Sequence, residues 1–474
     1  MTAARDRIVV THLSLALLAI GLALTFGALS VLHYLPAASP VLQALGLGLP
    51  STRPLHTTFA HTWIYAANLA MIYSFLATQR PDGFDAKDTR RFAFHTVCWV
   101  VGGGGVLITL LLGVTSGREY VGFHPTFSVM FFAGWIAFAW TFLKYILPGF
   151  WRRPVYVYMW TIGILYFMYT FAEAHAYLLP FVHQFPVADL QLQWKASGTL
   201  VGSFNFLVYG SLIYLGERLS GDESYGQSRI AFALFGVGCL NSFANFAHHT
   251  YHVPQTHIVK WIAFTVSMLE IIIVLRVLSD IVKMKGVKNE GSSYAAAAGF
   301  IRSARWWTFA MVFGGVVISI PAWNSLIHGT HVVVGHAMGA ELGIDSMVLF
   351  GVVTYLVMTL YPGVAAVRER VNGVGMRGVI VMLNVSMAAL VSWLMVSGTV
   401  AGVLRYYQRP VPVWLANGRW VLVASGFFLA VSLVLLLARW TPLLFGVARR
   451  MAGAGAGVPT MVPPETGGRD RDDG

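Results

Sequence analysis

Residues 376–406, MRGVIVMLNVSMAALVSWLMVSGTVAGVLRY, hold no charged side chain between Arg377 and Arg405. A helix that crosses the hydrocarbon core of a bilayer needs about 20 mostly apolar residues, and this run satisfies that with a basic residue near each end. By the same criterion eleven further stretches qualify, at roughly 9–33, 56–77, 93–115, 124–148, 154–179, 194–217, 228–251, 255–281, 304–327, 331–362 and 417–447. The expected fold is all-α: a polytopic membrane protein with twelve transmembrane helices in one domain over residues 1–450. A disordered cytoplasmic tail, rich in Gly, Pro and charged residues, is expected over 451–474. Composition agrees, with 57% hydrophobic and only 11% charged residues, against about 25% charged in soluble domains.

The net charge of +12 reflects topology and not nucleic-acid binding, because basic residues collect in cytoplasmic loops. Arg5 and Arg7, Arg80 to Arg91, Arg152 and Arg153, Lys283 to Arg305, Arg368 to Arg377, and Arg449 and Arg450 fall in alternate connections. That pattern puts both termini inside a bacterial inner membrane, although Arg405, Arg409 and Arg419 weaken the contrast locally. The first stretch has no small-residue cleavage site after a short apolar core, so it reads as a retained helix. The segment 282–303 reads as a flexible loop, and the Gly102–Gly105 run as a place of close helix packing. Cys98 and Cys239 lie in apolar stretches without a Cys-x-x-Cys-His motif, so each reads as a buried small residue. With no thiol cluster, electrons must come from a partner or from direct quinol access.

Of the fifteen histidines, only His12 and His95 fall at the cytoplasmic side. His56 opens the second stretch from outside, His248 and His249 close the seventh on that side, and His336 lies in the outer part of the tenth. Polar side chains in a bilayer face the bundle interior and mark functional sites, and neutral imidazole is the commonest metal ligand. The plain alternative, an interfacial histidine near water, suits His33, His183, His252 and His257. Taken singly, His56 and His336 read equally well as ordinary buried histidines. It is the shared depth of four imidazoles from three helices that points to a heme or metal site.

That distribution resembles the heme-copper oxidase superfamily, and the local motifs resemble the large (cytochrome b) subunit of bacterial nitric oxide reductase. Four motifs between about residues 50 and 360 carry the likeness. They are His56-Thr57 with Trp63 and Tyr73; Gly117-Arg118-Glu119-Tyr120 with Pro125-Thr126; His248-His249-x-Tyr251 with Val253-Pro254 and, later, Glu270; and Asn324, His328-Gly329-Thr330 and His336. The resemblance implies two hemes b. His56 and Met338 would bind the electron-entry heme, His336 the other, and His248 with His249 a non-heme iron or copper. It also implies Glu119 as a calcium ligand beside heme propionates, Arg118 as their ion-pair partner, and Glu270 as a proton-relaying acid. The implied reaction reduces two molecules of nitric oxide, a small gaseous substrate, to nitrous oxide, with electrons from a cytochrome c-type small subunit. The sites would lie toward the outer face of the lipid bilayer.

Three departures from the resemblance stand out. Ser197 and Val201 occupy positions that the family fills with a metal-binding histidine and glutamate, and Met338 stands where it has a second histidine. Glu270, His175, Glu173 or water would then have to complete the second metal site. Methionine with histidine is a known heme pair. His331, where the family has glutamine, would bond a propionate or face solvent. The missing ligands motivate a second reading, a non-catalytic heme protein for electron transfer, sensing or assembly. An oxygen reductase ranks lower, because no tyrosine follows a sixth-helix histidine by one turn. A transporter ranks lowest, since it would need a midplane site built on broken helices.

Overall fold

The computed structural model describes residues 3–80, 83–118, 120–244, 250–251, 254–288 and 294–455. The expectations for Glu119, His248, His249, His252 and the tail 456–474 lie outside these residues. The principal helices are α1 Ala3–Leu32, α2 Leu49–Thr78, α3 Ala86–Leu111, α4 Pro125–Ile146, α5 Val155–Ala174 and α6 Pro186–Ser220. After them come α7 Arg229–Ala244, α8 His257–Lys283, α9 Ala295–Ser319, α10 His331–Leu360, α11 Val374–Tyr406 and α12 Arg419–Gly455. Among the described residues there is no strand, as expected of an all-α chain.

Local chemistry sets the helix ends. The Asp85 carboxylate accepts the Asp88 N–H at 2.8 Å and starts α3, a side-chain cap for a helix N-terminus. Pro125 opens α4 and Pro186 opens α6, where a missing N–H costs nothing. Thr330 caps α10 by accepting the Val332 N–H at 3.3 Å. The last helix continues to Gly455, past the expected end of the membrane domain at 450.

A helix stands at each of the twelve expected places, but the count of twelve spans is not reached by length and apolarity. Among the described residues nine helices pass that test, or ten if a bent pair counts as one span. The helix α2 fails because it is too polar, and its position explains why. Every residue from Trp63 to Leu76 is buried, so α2 has no lipid-facing side there to keep apolar. Instead its Asn68 donates to Ile64 O at 2.9 Å and accepts from the Ser211 hydroxyl at 2.7 Å, which satisfies the amide inside the bundle. The peripheral helices show the opposite composition, with Val97, Val101 and Ile108 of α3 and Val381 and Val385 of α11 exposed toward lipid.

Two sequence expectations need correction. The stretch 304–327 is not one helix, because α9 ends at Ser319 and the chain turns by 90° into the short helix Pro321–Ile327. Proline has no N–H and pushes its predecessor out of helical geometry, and Ile320 is indeed extended, with ψ 119°. The Asn324 amide donates to Ile318 O at 2.9 Å and ties the bend down. The described residues of 282–303 are also mostly helical. Lys285–Lys288 forms a turn of helix, and the alanine run begins α9, where Ala297 and Ala298 are buried and Asn372 accepts the Ala296 N–H at 3.0 Å. Alanine's small side chain is what lets this end of α9 pack closely.

The tenth helix is irregular where it matters most. It is α-helical from His331 to Ala337, widens to a π-helix over Met338–Ser346, and resumes as an α-helix at Met347. Such widenings occur mostly as short interruptions at functional sites. The bundle closes on itself: α1 lies along α2, α3 along α4, α5 along α6, α11 along α12, and α12 returns to α1. Gly102 and Gly105 do mark close packing, since a Cβ there would meet Phe131 at 3.0 Å and Phe127 at 2.0 Å of α4.

Candidate functional site

A cavity of about 280 Å³ lies between α6, α7, α8, α9 and α10. His336, Asn324, His328 and Glu270 all line it, so residues from separate sequence motifs converge on one space. The His336 Nδ1 is buried without a hydrogen-bond partner. The Glu270 carboxylate takes a hydrogen bond from the Asn241 amide, and Tyr209 lines the same cavity. Asn241 thereby fixes the acid at the cavity wall.

Beside the cavity, α2 and α10 run in register. The Trp63 indole donates to the Ser346 hydroxyl at 3.0 Å, and His61 Nε2 lies 3.8 Å from the Glu341 carboxylate. Stepping back seven residues from Trp63 along α2 covers roughly 10 Å and reaches His56. Stepping back from Ser346 over the π-helix reaches Met338, so the two expected ligands stand at comparable height on facing helices. The His56 Nδ1 lies 2.7 Å from Ala23 O. A carbonyl can only accept, so Nδ1 carries the proton and Nε2 keeps the lone pair, the tautomer that suits a metal ligand. Gly27 makes room for this, since a Cβ there would sit 2.7 Å from His56 Nδ1.

Several residues singled out from the sequence are engaged elsewhere. Arg118 forms a two-pronged ion pair with Asp189 at 2.8 and 2.9 Å, and lies over the Tyr177 ring at 4.3 Å. Its guanidinium is thus held by protein, where the resemblance implies propionates. His175 bonds Ser128 at 2.6 Å and Phe171 O at 2.7 Å, and Glu173 pairs with Lys195 at 2.5 Å. Both ring nitrogens of His175 are thus engaged, whereas the Glu173 Oε2 is buried without a hydrogen-bond partner. The Ser197 hydroxyl bonds Gln193 O of its own helix at 2.8 Å, while Val201 faces the cavity. His331 meets the Tyr34 hydroxyl at 3.2 Å. Among the described residues no three His, Cys, Asp or Glu side chains gather closely enough to hold a metal ion.

The sequence reading passed over three ionisable residues. Glu341 and Asp345 line the cavity with Glu270, and His61 is buried, with its Nε2 making no hydrogen bond. The signal was available, because two acids within an apolar membrane stretch are functional candidates by default. Tyr120, quoted only as part of a motif, also lines the cavity, and its ring packs on His61 at 4.8 Å. Its φ of 62° lies in the left-handed region, which costs a non-glycine residue about 1–2 kcal/mol.

The sequence model of the family described as cytochrome C and quinol oxidase polypeptide I matches residues 7–446. The chain belongs to this family. It is 24% identical over 334 residues to cytochrome c oxidase subunit 1 of Rhodobacter capsulatus, covering 65% of this chain and 60% of that relative. It is also 24% identical over 332 residues to a cytochrome c oxidase subunit 1 homolog of Agrobacterium tumefaciens (strain T37), covering 65% and 59%. The matched region thus spans about three fifths of each relative's length. A solved heme-copper terminal oxidase dimer shares the fold, with a TM-score of 0.72 and 15% identity over 94% of this chain and 84% of that one.

Membership in this family implies heme and a second metal, and the described residues fit the heme. His56 has the required tautomer, Met338 lies at comparable height on α10, and His336 brings a buried imidazole to the cavity. For the second metal, α6 offers no ligand at Ser197 or Val201, and His248 and His249 lie outside the described residues.

Proposed function

We propose that this chain is a heme-bearing respiratory membrane subunit of the nitric oxide reductase type, reducing two nitric oxide molecules to nitrous oxide and water. Two electrons and two protons balance the reaction. The observation that carries the reading is the convergence of two motifs on one cavity, Glu270 from one and Asn324, His328 and His336 from the other. In this reading His56 and Met338 hold the electron-entry heme, His336 holds the second heme, and His248 and His249 hold a non-heme iron or copper. The bound hemes and metal supply electron transfer and the two seats for substrate. The protein's part is to orient and to move protons. Asn241 holds Glu270 at the wall, where the buried carboxyl can pass a proton into the cavity. Bringing two small molecules together in such a space supplies much of the acceleration. Glu119 as a calcium ligand, a cytochrome c-type partner subunit as donor, and placement in a bacterial inner membrane belong to the same proposal.

A second reading has its own observation. Ser197 bonds its own helix and Val201 is apolar, so α6 gives nothing to a second metal. That favours a heme protein that transfers electrons or senses gas without turnover. One preparation separates the readings through its heme, iron and copper content, optical spectra with and without nitric oxide, and nitrous oxide production. Two hemes, one further metal and nitrous oxide formation support the reductase. Hemes without the further metal or product support the second reading, oxygen consumption without nitrous oxide would rank an oxygen reductase first, and the absence of heme would overturn all three.

A further inference from the structure

At the opposite ends of these helices, a second polar cluster is buried in aromatic surroundings. Tyr73 lies seventeen residues along α2 from His56, roughly 25 Å away, and its ring stacks on His12 of α1 at 4.9 Å. The His12 ring is 5.6 Å from that of His95 on α3, and the two planes are inclined by 32°. Phe92 and Trp99 complete the walls, at 5.4 Å from His12 and 5.1 Å from His95. Both imidazoles are essentially inaccessible, at 1% and 0% exposure.

The hydrogen bonds fix the tautomer of each ring. The His12 Nδ1 lies 3.1 Å from Ile8 O, and the His95 Nδ1 lies 2.9 Å from Gly134 O. Each Nδ1 therefore donates, and each neutral ring keeps its lone pair on Nε2. Both Nε2 atoms are buried without a hydrogen-bond partner, and so is the Tyr73 hydroxyl. Buried polar groups are seldom left this way. A proton anchored on Nδ1 by a carbonyl, with a free lone pair on Nε2, is the arrangement of metal-binding histidines.

We propose that His12 and His95 form a second metal site, a two-imidazole seat for a monovalent copper ion, with the Tyr73 hydroxyl beside it. The ligand count selects the ion. Zinc takes four ligands in structural sites, and calcium and magnesium require oxygen shells. Imidazole suits copper, and the closed-shell monovalent ion is satisfied by two nitrogen donors. A single charge is also less costly to bury than a double one. This matters because Asp88, a carboxylate near Tyr73, is already paired with Lys144 and Arg91 at 2.8 and 2.9 Å. The site is independent of the reaction proposed for the outer cavity.

The test uses the full-length protein with His248 and His249 replaced by alanine, so that the outer site contributes no copper. Monovalent copper is titrated without oxygen against the chromogenic chelator bicinchoninate. The expected result is about one copper per chain retained against the chelator, lost in His12→Gln and in His95→Gln, and kept in Tyr73→Phe. Monodisperse elution and unchanged helical circular dichroism show whether each variant is folded. If either histidine variant fails to fold, X-ray absorption on the parent protein decides through its first shell of two imidazole nitrogens. No retained copper in the parent, copper retained by the folded histidine variants, or a sulfur first shell would each overturn the proposal.

Discussion

At the scale of single residues, ligand identity and ion pairing make separate predictions. If Met338 binds heme opposite His56, Met338→Ala leaves that heme five-coordinate, visible as a low-spin to high-spin change in the optical spectrum. Met338→His keeps it low-spin but lowers its potential, since methionine paired with histidine raises it. A redox titration that finds Met338→Ala and Met338→His indistinguishable from the parent would remove Met338 from the site. Arg118 tests something different. Its fork holds Asp189 in a partly buried pair, and truncation leaves a charged acceptor without its donors, a loss of about 1–3 kcal/mol. Arg118→Ala should therefore lower the thermal midpoint in detergent. Arg118→Lys should recover little of the loss, because an ammonium cannot make the two-pronged contact. Equal stability of lysine and arginine at this position would show that charge alone matters. His56 stood out in the sequence as an imidazole in an apolar run, although His61 shares that run, whereas Arg118's partner Asp189 lies 71 residues away and no local pattern announces it.

Among the elements, the closeness of α5 and α6 is set by small residues. A Cβ on Gly210 would lie 2.7 Å from the Trp160 indole nitrogen and 3.1 Å from Tyr156 O. Trp160 itself is fully buried and donates to Leu207 O at 3.2 Å, so it has nowhere to move. Gly210→Val should cost about 1–3 kcal/mol by overpacking. Gly103→Val, where a side chain would meet open space, should be nearly neutral. Thermal unfolding of the two variants side by side checks this, and equal destabilisation would show that the penalty comes from helix propensity and not from packing. The positions of the helices were readable from apolar runs because lipid imposes them. The bend at Ile320 was less so, although Pro321 was in view, since proline inside a membrane helix kinks it or breaks it depending on neighbours. The widening over Met338–Ser346 had no local signature at all. Glu341 and Asp345 were visible as charges in an apolar run, but only the fold shows that they share a cavity with Glu270.

For the molecule as a whole, orientation decides on which side the candidate site faces. From the alternation of basic loops, the α8–α9 connection, with Lys283, Lys285 and Lys288, is expected in the cytoplasm and the α1–α2 connection outside. The structure supports a shared depth for the site, because α2 and α10 both enter from the same end and stay in register from His61 and Glu341 to Trp63 and Ser346. A cysteine-free parent, with Cys98 and Cys239 replaced by alanine, allows single cysteines at Ala37 and at Lys285, both exposed. In cells with an intact inner membrane, a membrane-impermeant maleimide should label Ala37→Cys at once and Lys285→Cys only after permeabilisation. The reverse pattern would turn the molecule over. Glu270 would then draw on the cytoplasm for its protons, the donor subunit would have to dock on that side, and the His12 and His95 cluster would face the outside.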